Sequence, residues 1–121
     1  MEHTINLDPF IANPPTARDA HPGAPLVSVA NQDTVTYEAS QDFVIHDIQQ
    51  HTRDPLRPPN PRKPNNPFYR VLPMAARRGA GNKFRVNSGP ARSQAVGQRY
   101  RITFEVVATG AMIDPDIIID A

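Results

Sequence analysis

Proline is the residue that most constrains the fold of this chain. The sequence contains 14 prolines among 121 residues, and each one removes a backbone hydrogen-bond donor and fixes φ. The longer proline-free stretches have the alternation of strands or the composition of turns, so no segment predicts a convincing α-helix. We therefore expect short strands joined by turns.

The clearest strand pattern lies near the end of the sequence, over residues 99–107. Every second side chain there is apolar, which is typical of a strand that packs on one side and meets water on the other. These side chains are Tyr100, Ile102, Phe104 and Val106. Shorter strand patterns occupy residues 4–7, 26–30, 33–39, 43–48, 68–72, 83–86 and 117–119.

Many short strands with proline- and glycine-rich turns favour an all-β fold, here a single β-sandwich that spans residues 1–121. The last strand, 117–119, is apolar on both faces, so we expect it to be covered on both sides and to close the sandwich. Residues 50–67 have no periodicity, and residues 50–86 form a long, basic, proline-rich insert within this domain.

Three segments carry a family resemblance: "PLVSVANQDTVTYEASQDFVIHDI", "NSGPARSQAVGQRYRITFEV" and "MIDPDIIID". They resemble strands and loops of cupredoxin-like β-sandwich proteins, including relatives that lack copper, and they cover about half of the chain. An immunoglobulin-like sandwich would give a similar pattern. The resemblance implies a fold and not a redox function, because a blue-copper site needs a cysteine and the chain has none.

Composition limits the function classes further. Without cysteine the chain has no disulfide, no thiolate metal ligand and no thiol nucleophile. No stretch approaches the roughly 18 apolar residues of a membrane span, and the first ten residues lack the pattern of a signal peptide. We therefore expect a soluble, cytoplasmic protein that does not bind membranes.

Two groups of residues could carry site chemistry. His46 and His51, with Asp47 or Asp54, could bind a metal, but a metal site needs a full set of ligands. We expect His46 at the rim of its strand, His51 in solvent, and no metal or cofactor. Aspartates flank the apolar strand near the end of the sequence, and their alternating positions do not favour paired acid–base chemistry. We expect them to protect an aggregation-prone strand with charge: Asp114, Asp116 and Asp120.

Known catalytic and phosphate-binding patterns are missing from the sequence. No serine lies in the context of a nucleophile elbow. The stretch "RRGAGNK" lacks the spacing of a phosphate-binding loop and predicts a turn. We therefore expect a protein that is not an enzyme.

The strongest functional signal is the uneven distribution of charge. Residues 53–85 contain nine Lys or Arg and one acid, a balance of +8, whereas the rest of the chain has a balance of −7. Aromatic residues are interleaved with these cations, as in protein interfaces and in nucleic-acid-binding surfaces. Candidate binding residues are Arg57, Arg62, Lys63, Phe68, Tyr69, Arg70, Arg77, Arg78 and Lys83.

Three interpretations of this segment remain open: a solvated loop, an interface with a protein or a second copy of the chain, and a nucleic-acid or other polyanion-binding surface. A proline-rich segment loses little entropy when it becomes ordered, which favours an interface. The sequence therefore predicts a non-catalytic interaction or assembly module that uses this segment. We expect the segment to contribute little to the core. Polyanion binding is the alternative function.

Overall fold

The computed structural model describes residues 1–12, 27–51, 57–114 and 116–120 and shows the predicted all-β sandwich. Its strands form a four-stranded sheet, here sheet I, and a six-stranded sheet, here sheet II. The strands are β1 Glu2–Asn6, β2 Val27–Ala30, β3 Thr34–Ala39, β4 Phe43–Gln50, β5 Met74–Ala75, β6 Arg77–Arg78, β7 Phe84–Pro90, β8 Arg99–Val106, β9 Ala111–Ile113 and β10 Asp116–Asp120.

Sheet I has the order β1-β3-β7-β6. β1 runs parallel to β3, and β7 is antiparallel to both β3 and β6. The turn between β6 and β7 contains Gly81 at φ +72°, a left-handed conformation that glycine adopts without steric cost. This confirms a turn in the later part of the predicted stretch "RRGAGNK", whereas its first two residues, Arg77 and Arg78, form β6.

Sheet II has the order β2-β10-β8-β4-β5, and β9 also pairs with β8. β10 lies between β2, to which it is parallel, and β8, to which it is antiparallel. The strand predicted at 117–119 therefore has a paired strand along each edge, and Ile117 and Ile119 are buried. The side chain of Ile118 lies outside the described residues, so the covering of both faces stays a prediction.

The core between the sheets follows from the period-two pattern of the strands. Val35, Tyr37 and Ala39 of β3 are buried, and so are the four alternating apolar residues predicted on β8. Phe43 and Phe104 meet edge-to-face, with ring centroids 6.1 Å apart. This geometry is favourable for aromatic pairs.

Several short elements are absent from the sequence prediction. A five-residue helix, α1, spans Asp8–Ala12, and it tolerates Pro9 because the first turn of a helix needs no N–H from that residue. β5, β6 and β9 are too short to show a period. The strand predicted at 68–72 reduces to a single bridge between Phe68 and Ala91.

The expectation that the basic segment contributes little to the core is wrong. Phe68 and Met74 are both fully buried. The segment also supplies a strand to each sheet, because β5 pairs with β4 in sheet II and β6 pairs with β7 in sheet I. The prolines therefore prevent long strands in this segment, but they do not prevent burial of its apolar side chains.

Hydrogen bonds tie the irregular part of the segment to sheet II. The Gln50 amide donates to the carbonyl oxygens of Asn60 (2.8 Å) and Lys63 (2.9 Å) and accepts from the Asn60 N–H at 2.6 Å. The Tyr100 hydroxyl donates to the Pro64 carbonyl at 2.9 Å. Residues 60–64 are therefore held against the ends of β4 and β8.

In the described part of the chain, no helix is both long and apolar enough to cross a membrane.

Candidate interaction surface

The predicted binding residues do not form one cluster, but some of them line one edge of sheet I. β3 occupies one side of β7, and two pieces of the basic segment occupy the other side. β6 pairs with Arg85 and Phe84 at the start of β7. Near its end, the Tyr69 N–H donates to the Pro90 carbonyl at 3.1 Å, beside the Phe68–Ala91 bridge. We call the side chains of Tyr69, Arg70, Arg77 and Arg78 along this line the basic edge.

Three arginines of the basic edge are exposed and have no acidic partner among the described residues. Arg70, Arg77 and Arg78 are exposed, and none of them forms an ion pair with an acidic residue in the described ranges. Arg70 Nη1 donates to the Asn87 carbonyl at 2.9 Å, and Arg78 Nη2 donates to Asn82 Oδ1 at 2.9 Å. Both partners are neutral, so neither hydrogen bond neutralises the guanidinium charge.

Asn87, whose carbonyl accepts the hydrogen bond from Arg70, is itself held in place by hydrogen bonds. Asn87 Nδ2 donates to Thr36 Oγ1 at 3.1 Å, and Asn87 Oδ1 accepts from the Gly89 N–H at 2.9 Å. Thr36 Oγ1 in turn donates to Glu2 Oε1 at 2.8 Å. The Arg70 guanidinium therefore rests on a polar network that crosses three strands, which reduces the entropy it would lose on binding a partner.

Tyr69 supplies an aromatic surface beside these charges. Its side chain is 52% exposed, and the Arg92 guanidinium lies 5.1 Å from its ring centroid, within the range of a cation–π contact. The next apolar residue along the chain, Val71, is 79% exposed. Both side chains are exposed near one end of the basic edge, and we call this pair of residues the apolar patch.

Lys83, another predicted binding residue, is engaged within the chain. Glu38 Oε1 lies 3.3 Å from Lys83 Nζ, and Glu38 Oε2 lies 2.6 Å from Arg85 Nε. The hydrogen bond from Arg85 and the one from Lys83 lower the pKa of the Glu38 carboxyl below its ordinary value. This group lies on the outer side of sheet I and is partly neutralised.

The remaining predicted binding residues lie elsewhere. Phe68 is buried and cannot contact a partner, which corrects its assignment to a binding surface. Lys63 Nζ donates to the Val96 carbonyl, and Arg57 is partly buried. Arg62 is exposed, but it belongs to the loop that Gln50 holds against sheet II.

The histidine pair predicted as a possible metal site is separated. His46 Nε2 lies 2.7 Å from Glu105 Oε1 on the outer side of sheet II. His51 is 2% exposed, which corrects the expectation that it is solvated, and its Nε2 is 3.3 Å from Arg101 Nη2. Within the described residues, no three His, Cys, Asp or Glu side chains form a group able to hold a metal ion.

The aspartates near the end of the sequence are only partly described. Asp114 Oδ1 accepts a hydrogen bond from Thr103 Oγ1 at 2.8 Å. The side chains of Asp116 and Asp120 lie outside the described residues, as do Arg53, Asp54 and residues 13–26.

Arg92 and Asn87 were missed by the sequence analysis. Both lie outside or beyond the dense run of cations, and only the pairing of residues 68–70 with the end of β7 brings them to the basic edge. No local signal in the sequence indicates that pairing.

Comparison with known proteins gives no independent indication of function. No protein-family model matches the chain, and no curated protein matches it.

Proposed function

We propose that this protein is a non-catalytic interaction module that binds a protein partner through the basic edge. The observation that carries the proposal is the row formed by Arg70, Arg77 and Arg78 on one side of β7, exposed and without described acidic partners. Tyr and Arg are enriched at protein interfaces, and both are present here. The likeness to cupredoxin-like proteins and a cytoplasmic location remain predictions.

Exposed cations that serve only solubility need no fixed position, whereas the three arginines of the basic edge are held in place on a sheet. Arg77 and Arg78 belong to a strand, and Arg70 is bonded to the backbone of the adjacent strand. Two rises of about 3.3 Å separate Asn87 from Arg85 along β7, so the residue whose carbonyl the Arg70 guanidinium contacts lies roughly 7 Å from the residue paired with Arg77. Because successive strand residues point to opposite faces, Arg77 and Arg78 flank the sheet edge, and this placement favours a ligand that lies along the edge and contacts both of them together with Arg70.

Retention on immobilised polyglutamate, eluted with rising salt, tests the proposal. Replacing Arg70, Arg77 and Arg78 with serine should lower the salt concentration at elution, because the protein loses positive charges whose attraction to the ligand is screened only partly at close range. The exposed Arg62 provides a matched control for the single change Arg77→Ser. We expect Arg62→Ser to elute close to the unmodified protein.

Equal effects of Arg62→Ser and Arg77→Ser would contradict the proposal, since any surface cation would then serve equally well. The same preparations should be compared by analytical ultracentrifugation. A mass above that of one chain that returns to one chain in the triple variant would identify the partner as a second copy.

A further inference from the structure

We infer that the partner is an extended, acidic polypeptide segment that places an apolar side chain against Tyr69 and Val71. This inference rests on the proposed function and specifies its ligand. The basic edge combines a line of charge with an apolar patch at one end, and a ligand that fits it must carry both complements in the same order.

The length of the basic edge fits a short linear segment. From Phe84, which pairs with Arg78, to Ala91, which bridges Phe68, β7 advances by seven residues, or about 23 Å of strand. An extended peptide of about seven residues covers the same distance. Acidic side chains on such a peptide meet Arg78, Arg77 and Arg70 in turn before its apolar residue reaches Tyr69.

Recognition at this edge depends on side chains rather than on an added strand. The Arg70 guanidinium already occupies the Asn87 carbonyl, and β6 already pairs with Arg85 and Phe84. Charged side chains on an edge strand oppose the addition of another strand. The ligand is therefore bound by charge and by contact with the aromatic ring.

The apolar patch favours a polypeptide over a nucleic acid. Arg92 lies over the Tyr69 ring, and this contact competes with a base that would stack on that face. Val71 is 79% exposed and offers a nucleic acid neither charge nor a stacking surface. An aliphatic or aromatic side chain buries both residues.

A second copy of the chain fits less well than a foreign acidic segment. Among the described carboxylates, only Asp42 lacks a hydrogen bond or ion pair within its own chain. The engaged ones are Glu2, Asp8, Asp33, Glu38, Asp47, Glu105 and Asp114. Asp33 and Glu38 are ion-paired with cations of their own chain, and each strand of a second copy whose side chains are fully described carries at most one acid.

Fluorescence anisotropy with three labelled probes tests the inference. The first probe is an acidic peptide of about ten residues that alternates Glu with Ser and has one Phe near one end. The second replaces that Phe with Ser, and the third is an oligothymidylate of equal charge. We expect the first probe to bind more tightly than the other two.

Variants of the protein then assign the contacts. Tyr69→Ser should weaken binding of the Phe peptide by about five- to tenfold, as for an aromatic interface residue that contributes to affinity, and leave the Ser peptide unchanged. Met112→Ser, at a similarly exposed apolar residue on sheet II, should change neither. Arg77→Ser should weaken both peptides, and Arg62→Ser neither.

The outcomes separate the inference from the proposed function. If Arg77→Ser weakens both peptides but Tyr69→Ser has no effect, the inference is wrong and the proposed function stands. If the oligothymidylate binds most tightly, the basic edge serves a polyanion and the inference is overturned. If no probe binds, or Arg77→Ser and Arg62→Ser act equally, both fail.

Discussion

Two buried tyrosines show how one hydroxyl can stabilise the fold while another opposes it. The Tyr100 hydroxyl donates to the Pro64 carbonyl, whereas the Tyr37 hydroxyl has no hydrogen-bond partner among the described residues. Burial raises the pKa of both, that of Tyr100 to about 12. A buried polar group without a partner costs about 1–3 kcal/mol.

The two Tyr→Phe changes should therefore have opposite effects. Tyr37→Phe should leave the free energy of unfolding unchanged or raise it, because it removes an unpaired polar group. Tyr100→Phe should lower that free energy by about 1 kcal/mol, because it removes a hydrogen bond. Urea denaturation followed by circular dichroism checks both, and a clear loss of stability in Tyr37→Phe would show that its hydroxyl has a partner.

Asp33 makes stability depend on pH at the start of β3. The hydrogen bond with His3 and that with the Met1 amino group lower the pKa of the Asp33 carboxyl from 3.8 to about 2. A lowered pKa in the folded state stabilises the protein above the unfolded value, and this contribution is lost as the pH falls through the folded value.

The difference in melting temperature between the unmodified protein and Asp33→Asn should therefore reach its largest value above about pH 4. It should shrink as the pH approaches 2. Scanning calorimetry across this interval provides the measurement. A difference that stays constant down to pH 2 would mean that the carboxylate charge contributes nothing.

At the scale of elements, β10 stabilises sheet II more than its position near the end of the sequence indicates. It pairs with β8 on one side and β2 on the other. Removing residues 116–121 should abolish the cooperative thermal transition, because two strands would lose their partner and the core would lose Ile117 and Ile119.

A milder change isolates the packing contribution of this strand. Ile117→Ala should cost about 2–5 kcal/mol, because Ile117 is 1% exposed. Met112→Ala, in β9, which precedes β10 in the chain, should lower the free energy of unfolding by less than about 0.5 kcal/mol, because Met112 is 53% exposed. Similar losses from both, measured by urea denaturation, would contradict the placement of β10 in the core.

The elements also show what the sequence could predict. The long strands β3, β4 and β8 follow from alternation, because one face of each packs on the core. β5 and β6, of two residues each, have no period, and their partners are distant in the sequence. Periodicity also placed Arg99 on the solvated face of β8, yet it is only 3% exposed.

The candidate site was predictable only in composition. The density of cations marked the segment, but the neighbours Phe68 and Tyr69 look equivalent in an irregular stretch. One is fully buried and the other is 52% exposed. Only the pairing of residues 68–70 with the end of β7 decides which aromatic faces a partner.

At the scale of the whole molecule, the basic segment serves both the core and the surface. Replacing the exposed Arg62, Arg77 and Arg78 with serine should change the melting temperature little, since exposed charges contribute about 0–1 kcal/mol each. Adding Lys63→Ser should lower it further than a fourth exposed charge would, because Lys63 Nζ donates to the Val96 carbonyl. Thermal melts of both variants check this, and equal melting temperatures would mean that Lys63 holds nothing.

The passage from β5 to β6 has a dynamic consequence. Only Ala76 separates these strands, although β5 belongs to sheet II and β6 to sheet I. The N–H of Ala76 donates to the Phe43 carbonyl at 3.1 Å. Local opening of one strand must therefore disturb the other. A ligand that immobilises Arg77 and Arg78 should slow amide hydrogen exchange at Met74 and Ala75. Binding at the edge of sheet I would then be measurable as slower exchange in sheet II.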